Sequence, residues 1–242
     1  MARPPVVPLL ESRAGSIWRL RMLGDYVNGF LARDPDGKVT LIDVGLRWST
    51  RRVLDALAAV GSGPSAVTRI VLTHAHSDHA GAAAALARRT GGDVDVHQGD
   101  AAYVRHGRPP PRSGFGRLVP RVLLSFPPVA VSAELVDGQL LDVAGGLRVI
   151  HTPGHSPGHI SLLHEDAKLL LTGDAIFNVR GVGWPARAFC TDFRLTQQTA
   201  HLLADLDYRL AAFTHGQELR ENPREAIRDF LRTQRPSGGE AG

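Results

Sequence analysis

The chain has a single cysteine, only two lysines and no long unbroken apolar run, and each shortage narrows what it can be. With Cys190 alone, no intrachain disulfide and no thiolate cluster around a metal can form, so Cys190 reads as a small packed residue. Apolar stretches such as 119–124 are broken by proline and charge, far short of the roughly 20 residues that span a bilayer. The opening Met-Ala-Arg-Pro-Pro is followed only by the short apolar stretch 6–10, too little for a signal-peptide core, and the expectation is a cytoplasmic protein. Lys38 and Lys168 are the only lysines, so the net charge of +4 rests on arginine. Those arginines are scattered, which favours a solvated surface, with a small anionic substrate second, over a nucleic-acid partner.

What is present is ordinary for a soluble globular protein: 242 residues, 43% apolar and 21% charged. β-branched and aliphatic runs at 17–22, 27–32 and 39–44 predict strands, the last two separated by the turn Asp34-Pro-Asp-Gly37. Ser49 or Thr50 can cap a helix over 51–60, where Val53, Leu54, Leu57 and Val60 recur at helical spacing. A short strand at 69–72, an Ala-rich helix at 81–89 stopped by Gly91-Gly92, and a strand at 94–97 follow. Strands are expected again at 134–136, 140–143, 147–150, 159–163, 168–171 and 210–213, with helices over 195–206 and from Pro223 to about 232. Residues 106–128 are irregular and proline-rich, a lid over a site or a plain surface excursion. The alternation of strand groups and helices predicts one mixed α/β domain over 1–242, with a core at about 17–232 and a frayed tail at 236–242.

The chemistry concentrates in Thr73-His-Ala-His-Ser-Asp-His79. Residues two apart on an extended stretch face the same way, so His74 and His76 can address one metal. Asp78 and His79 follow a change of direction and can address another. Neutral imidazole and carboxylate suit zinc and related first-row cations. Three histidines and an aspartate within six positions are not the composition of a chance polar turn. Three more segments place a donor residue where a strand ends: His155 in His151-Thr-Pro-Gly-His-Ser-Pro-Gly-His159, Asp174 after Leu170-Leu-Thr-Gly, and His215 in Ala212-Phe-Thr-His-Gly216. Each alone is an ordinary turn residue. Together they supply donors for two metals.

In this order the four segments resemble the metallo-β-lactamase fold superfamily of hydrolases, over roughly 17–230. The resemblance implies a four-layer αβ/βα sandwich of two sheets, with metals at one edge between them. It implies that His74, His76 and His155 hold the first metal, that Asp78, His79 and His215 hold the second, and that Asp174 bridges the pair. Asp43, in Leu41-Ile-Asp-Val-Gly45, matches an acid that orients a ligand histidine from behind. Two cations, zinc first with iron or manganese as the others, would lower the pKa of a shared water enough to give hydroxide at neutral pH. Asp78 would orient that nucleophile and relay its proton as the catalytic acid–base group. His151 and His159 flank a ligand loop and read equally as ligand supports or ordinary residues; His97, His106, His164 and His201 read as structural or exposed. Trp48, Phe115, Phe177, Trp184 and Phe189 are pocket candidates beside the commoner reading as packing, and Asn28 reads as a turn or supporting residue.

The expected reaction is cleavage of an ester, thioester, lactone or related acyl bond in a small molecule, as in the glyoxalase-II-like group. Only 27 residues follow His215, too few for the glutathione-binding helical region of glyoxalase II itself. The family's quorum-quenching lactonases carry tyrosine where Phe177 stands, and phenylalanine donates no hydrogen bond. The rivals are a mononuclear-iron persulfide dioxygenase using His74, His155 and Asp174, and a metal-dependent phosphodiesterase or nuclease.

Overall fold

Successive residues of an extended chain face opposite ways, and this alternation sorts the side chains into layers. The computed structural model describes residues 4–118 and 120–233. Its strands are β1 (Val6–Ser12), β2 (Gly15–Leu23), β3 (Val27–Arg33), β4 (Val39–Ile42), β5 (Val67–Leu72), β6 (Asp93–His97), β7 (Ala133–Leu135), β8 (Leu140–Leu141), β9 (Leu147–His151), β10 (Ile160–His164), β11 (Leu169–Leu171), β12 (Phe177–Asn178), β13 (Val182–Gly183) and β14 (Leu210–Ala212). The helices are α1 (Thr50–Ala59), α2 (Ser77–Ala80), α3 (Ala83–Thr90), α4 (Gln98–His106), α5 (Phe193–Asp205) and α6 (Pro223–Thr233). β1 to β7 form one sheet in sequential order, antiparallel through β4 and parallel from β4 onward. Parallel neighbours need crossovers, and α1 to α4 provide them. The second sheet has the order β14-β11-β10-β9-β8, antiparallel except for β11 and β14.

Between the sheets, Phe30, Ile42 and Val71 meet Leu147, Val149, Ile160 and Leu162 in one buried cluster. Their neighbours face outward: Leu31, Leu41, Ile70 and Leu72 pack with Val53 and Leu57 of α1, Leu86 of α3 and Val104 of α4. On the far side Ile150, Leu163 and Leu170 pack with Ala200 and Leu203 of α5 and Ile227 and Leu231 of α6. Each such aliphatic side chain contributes about 1.5–3 kcal/mol by leaving water. The result is the helix–sheet–sheet–helix sandwich that the family resemblance implies. Among the described residues no helix is long and apolar enough to cross a membrane.

Several elements differ from the sequence reading, α2 and the short β12–β13 pair among them. β1 was not anticipated: it is an edge strand whose register shifts between Pro8 and Leu10, where a proline costs no ladder bond. α4 was also missed, its polar start giving little periodicity. Ser49 does occupy the position before α1, but with helical backbone angles and no side-chain cap bond. Its hydroxyl is buried against Gly45, where a Cβ would lie 2.6 Å away.

Residues 106–128 leave and return at one point, since Phe126 N–H donates to Gly107 O (3.0 Å). The excursion carries two short 3-10 turns, Gly114–Leu118 and Arg121–Leu124. It leans on the 186–191 loop through Ser113 N–H to Cys190 O (3.0 Å) and Thr191 Oγ1 to Pro111 O (2.6 Å). The tail expected at 236–242 lies outside the described residues.

Candidate metal centre

Carboxyl ends of parallel strands in an α/β sheet gather at one rim, where the connecting loops can converge. β4 and β5 end there in the first sheet, β11 and β14 in the second. Two backbone bonds close the rim across the sheets: Ile160 N–H to Thr73 O (3.0 Å) and Asn28 N–H to Thr214 O (2.7 Å). After β5 the chain stays extended through His76 and then turns into α2, so His74 and His76 share one direction while Asp78 and His79 take another. The loop after β9 delivers His155, the turn after β11 delivers Asp174, and the turn after β14 delivers His215.

All seven candidate ligands meet. His74 Nε2 lies 3.0 Å from His76 Nδ1, which lies 2.9 Å from His155 Nε2. A second group surrounds Asp78 Oδ2, 3.7 Å from His79 Nε2 and 3.5 Å from His215 Nε2, with those two nitrogens 3.4 Å apart. Asp174 stands between the groups: Oδ2 is 3.2 Å from His155 Nε2 and 3.4 Å from His215 Nε2, and Oδ1 is 3.4 Å from His79 Nε2. His74-His76-His155, His74-His79-Asp174 and Asp78-His79-His215 each bring three donor atoms close enough to share one ion.

The protons behind the rings show which nitrogens are free. Thr73 Oγ1 gives its only hydrogen to Asp43 Oδ2 (2.7 Å), so at 3.0 Å from His74 Nδ1 it accepts, leaving His74 Nε2 as a bare lone pair. His79 Nδ1 donates to Asp43 Oδ2 (2.8 Å) and His215 Nδ1 to Tyr26 O (2.5 Å), which turns both Nε2 atoms to the centre, where a proton or a cation can sit. Lone pairs turned on one another at about 3 Å in a buried site repel unless a cation or a proton lies among them. The donor set therefore fits a metal. Asp43, fully buried with φ +54°, also accepts Thr73 N–H (2.8 Å), and so supports both ends of the motif.

Charge follows the same logic. Burial, with neighbouring imidazoles, drives His74 and His76 well below the usual histidine value. Burial would lower His155 too, but the Asp174 carboxylate outweighs it and holds that ring up at about 9. Against the same burial penalty, Asp174, Asp43 and Asp78 raise His79 well above its ordinary value, and Asp174 with Asp78 raises His215. Burial works to raise Asp174, but His215, His79 and His155 hold it well below the carboxylate range.

His159 supports the centre: its Nε2 accepts Asp174 N–H (2.7 Å) and its Nδ1 donates to Thr152 O (3.0 Å). Burial keeps it neutral, with its pKa lowered to about 3. Gly173 (φ +54°) makes this possible, since a Cβ there would lie 2.6 Å from His159 Nε2. His151 instead bonds Pro157 O and stacks on His97 at 4.0 Å. Asn28 donates to Phe213 O and Gly216 O, holding the His215 turn. Three supports escaped the sequence reading: Thr214, whose hydroxyl donates to Asp174 Oδ1 (2.6 Å), Cys190, whose Sγ lies 3.5 Å from His155 Nδ1, and Asp100.

A cavity of about 350 Å³ opens on the centre, walled by Val27, Leu46, Leu124, Phe177 and Phe189. Leu124 comes from the 106–128 excursion, and the Phe177 ring lies 4.3 Å from that of His215. Of the other aromatic candidates, Trp48 is half-exposed and Trp184 packs on Phe193 and Phe230; the side chain of Phe115 lies outside the described structure. A larger cleft of about 1070 Å³ between α5 and α6 touches none of the seven ligands, so the smaller cavity is the relevant one.

Residues 22–215 match the family model described as the metallo-beta-lactamase superfamily. A probable metallo-hydrolase of Bacillus subtilis, YybB, is 28% identical over 203 residues, covering 81% of this chain and 83% of its own. An acyl-coenzyme A thioesterase of Gallus gallus, MBLAC2, is 27% identical, covering 79% and 74%. Among solved structures, a metallo-β-lactamase of Cronobacter sakazakii aligns at 26% identity over 87% of this chain and 78% of its own, with a TM-score of 0.66.

Proposed function

Because the chain belongs to the metallo-β-lactamase superfamily, whose metallohydrolase relatives it resembles over most of their length, we propose that it cleaves an acyl bond of a small molecule at a two-metal site. The observation that carries this reading is the division of seven donors into two triads that meet at one carboxylate, Asp174. His74, His76 and His155 would hold one cation and Asp78, His79 and His215 the other, with zinc suited to such nitrogen and carboxylate donors. When bound, two such cations lower the pKa of water toward neutrality and polarise a carbonyl, so that no side chain need act as nucleophile.

The chain's own groups do the rest. Asp78, a third exposed and the most open of the seven candidate ligands, faces the cavity, where it would orient a water and take its proton. Asp43, Tyr26 O and His159 fix the tautomers and directions of the ligands behind it. Leu46, Leu124, Phe177 and Phe189 exclude water and receive the carbon skeleton of the substrate, in a cavity near the small end of the range for ligand pockets. Residues 106–128 contribute part of that wall as a cover. Acyl chemistry accords with the thioesterase activity named for the MBLAC2 relative, and Phe177 leaves the leaving group without a phenol donor on that side. Ester, thioester and lactone bonds remain the class.

Elemental analysis of the purified chain, followed by a panel of thioesters, esters, lactones and phosphodiesters, tests the reading. Two zinc-like ions per chain and acyl cleavage are expected. One iron per chain with oxygen consumed on a persulfide, or turnover of phosphodiesters alone, overturns it.

A further inference from the structure

Asp100 is fully buried in the first turn of α4, and among the described residues it forms no ion pair. Its carboxylate is instead saturated by hydrogen bonds from two separate loops. Oδ2 accepts Ala75 N–H (2.8 Å) and Ser156 Oγ–H (2.6 Å), and Oδ1 accepts Gly158 N–H (2.7 Å). Ala75 lies between His74 and His76, and Ser156 follows His155. One side chain thus ties the residue between His74 and His76 to the loop that carries His155. Nothing comparable links it to the second triad, where His79 is held by Asp43 and His215 by Tyr26 O.

The approach is built for closeness. A Cβ on Gly158 would lie 2.4 Å from Asp100 N, and one on Gly99 would lie 2.9 Å from Gly158 Cα. Two glycines therefore allow the start of α4 to touch the His155 loop. The carboxylate is also the right chemical group, since three donors face it from two sides and only an ionised acid accepts on both oxygens. Burial raises its pKa, and the bonds from Ser156, Ala75 and Gly158 work against that penalty in favour of the charged form.

We propose that Asp100 is a positioning residue that holds His74 and His76 in register with His155, and so sets the affinity of the first metal position independently of the second. The inference rests on the two-metal reading above. Asp100→Asn keeps the shape, but in either amide orientation its NH₂ faces Ala75 N–H or Gly158 N–H, so one loop loses its anchor.

The test measures zinc affinity by chelator competition on full-length chains in two backgrounds. In His215→Ala, where the first triad is intact, Asp100→Asn is expected to weaken zinc binding by about 10- to 100-fold, the range for supports behind ligands. In His155→Ala, where the second triad is intact, the same substitution is expected to leave zinc affinity unchanged. Equal weakening in both backgrounds makes Asp100 a general packing residue and overturns the proposal, as does wild-type affinity in the first. Should Asp100→Asn not fold, Ser156→Ala removes one of the three bonds and is expected to give a smaller loss confined to the same background; no loss overturns the proposal equally. A wild-type chain that binds a single zinc refutes the two-metal reading instead, and is told apart by stoichiometry.

Discussion

Cations and protons compete for the same ring nitrogens, so the affinity of the centre is expected to rise steeply with pH. In the cation-free site His155 is held up at about 9 because Asp174, 3.2 Å away, outweighs the burial that would lower it. A metal takes only the neutral ring. Between pH 6 and 8 His155 is protonated throughout, and each unit of pH costs or restores about tenfold in apparent affinity, about 100-fold over the interval. His79 and His215, also raised, act in the same direction and steepen the slope. The sign reverses for the stability of the cation-free fold. A histidine whose folded pKa is raised stabilises fully below about 6.5 and loses that contribution as pH climbs through 9, on the order of 3 kcal/mol for His155. Chelator competition at pH 6, 7 and 8 measures the affinity, and calorimetry in buffers of different ionisation enthalpy counts the protons released. A flat affinity across that interval, or less than one proton released as the site fills, would refute the electrostatic account of the cluster.

Two substitutions probe other parts of the centre. Asp78→Asn is expected to keep most of the metal while lowering kcat by about 10²- to 10⁴-fold, as for loss of a group that positions and accepts a proton; an unaltered kcat at full metal content removes Asp78 from that role. Asp43→Asn preserves the left-handed backbone, which asparagine tolerates, but sets an amide N–H₂ against either Thr73 N–H or the donors Thr73 Oγ1 and His79 Nδ1. Chemical denaturation of the cation-free protein is expected to show a loss of about 1–3 kcal/mol, and an unmoved midpoint would count against the buried network.

The architecture was legible where patterning is local. Leu162 and Leu163 fall on opposite faces of β10 because neighbours in a strand must, and the same rule reads off most of both sheets from the sequence. The candidate ligands stood out for a related reason: four of them occupy one hexapeptide, and the other three each follow an apolar strand beside a glycine or threonine. What stayed hidden acts across space. Asp100 sits 21 residues past His79 in a polar stretch that resembles any exposed helix start, and its burial follows only from the glycines at 99 and 158 on facing loops. The acceptor for His215 is the backbone carbonyl of Tyr26, which no side-chain pattern can announce. An acid directly after a strand and a glycine is the one signal that could have marked Asp100 for attention.

The centre also bears on how the two sheets are held together. His74, His76, Asp78 and His79 belong to the first sheet's loops, and His155, Asp174 and His215 to the second's, so neither half can bind a cation alone in the arrangement seen. Apolar packing between Phe30, Ile42 and Val71 and the facing strands sets the distance between the sheets, while the bonds from Ile160 to Thr73 and from Asn28 to Thr214 set their offset at the rim. Without a cation, burial disfavours charge on His74 and His76, while His79, His155 and His215 are held in their charged form by the carboxylates beside them. A bound cation would add to stability in proportion to the logarithm of its concentration over its dissociation constant. On the proposed reading the cations would clasp the sandwich as well as supply its chemistry, and removing them is expected to loosen the sheets from this rim first.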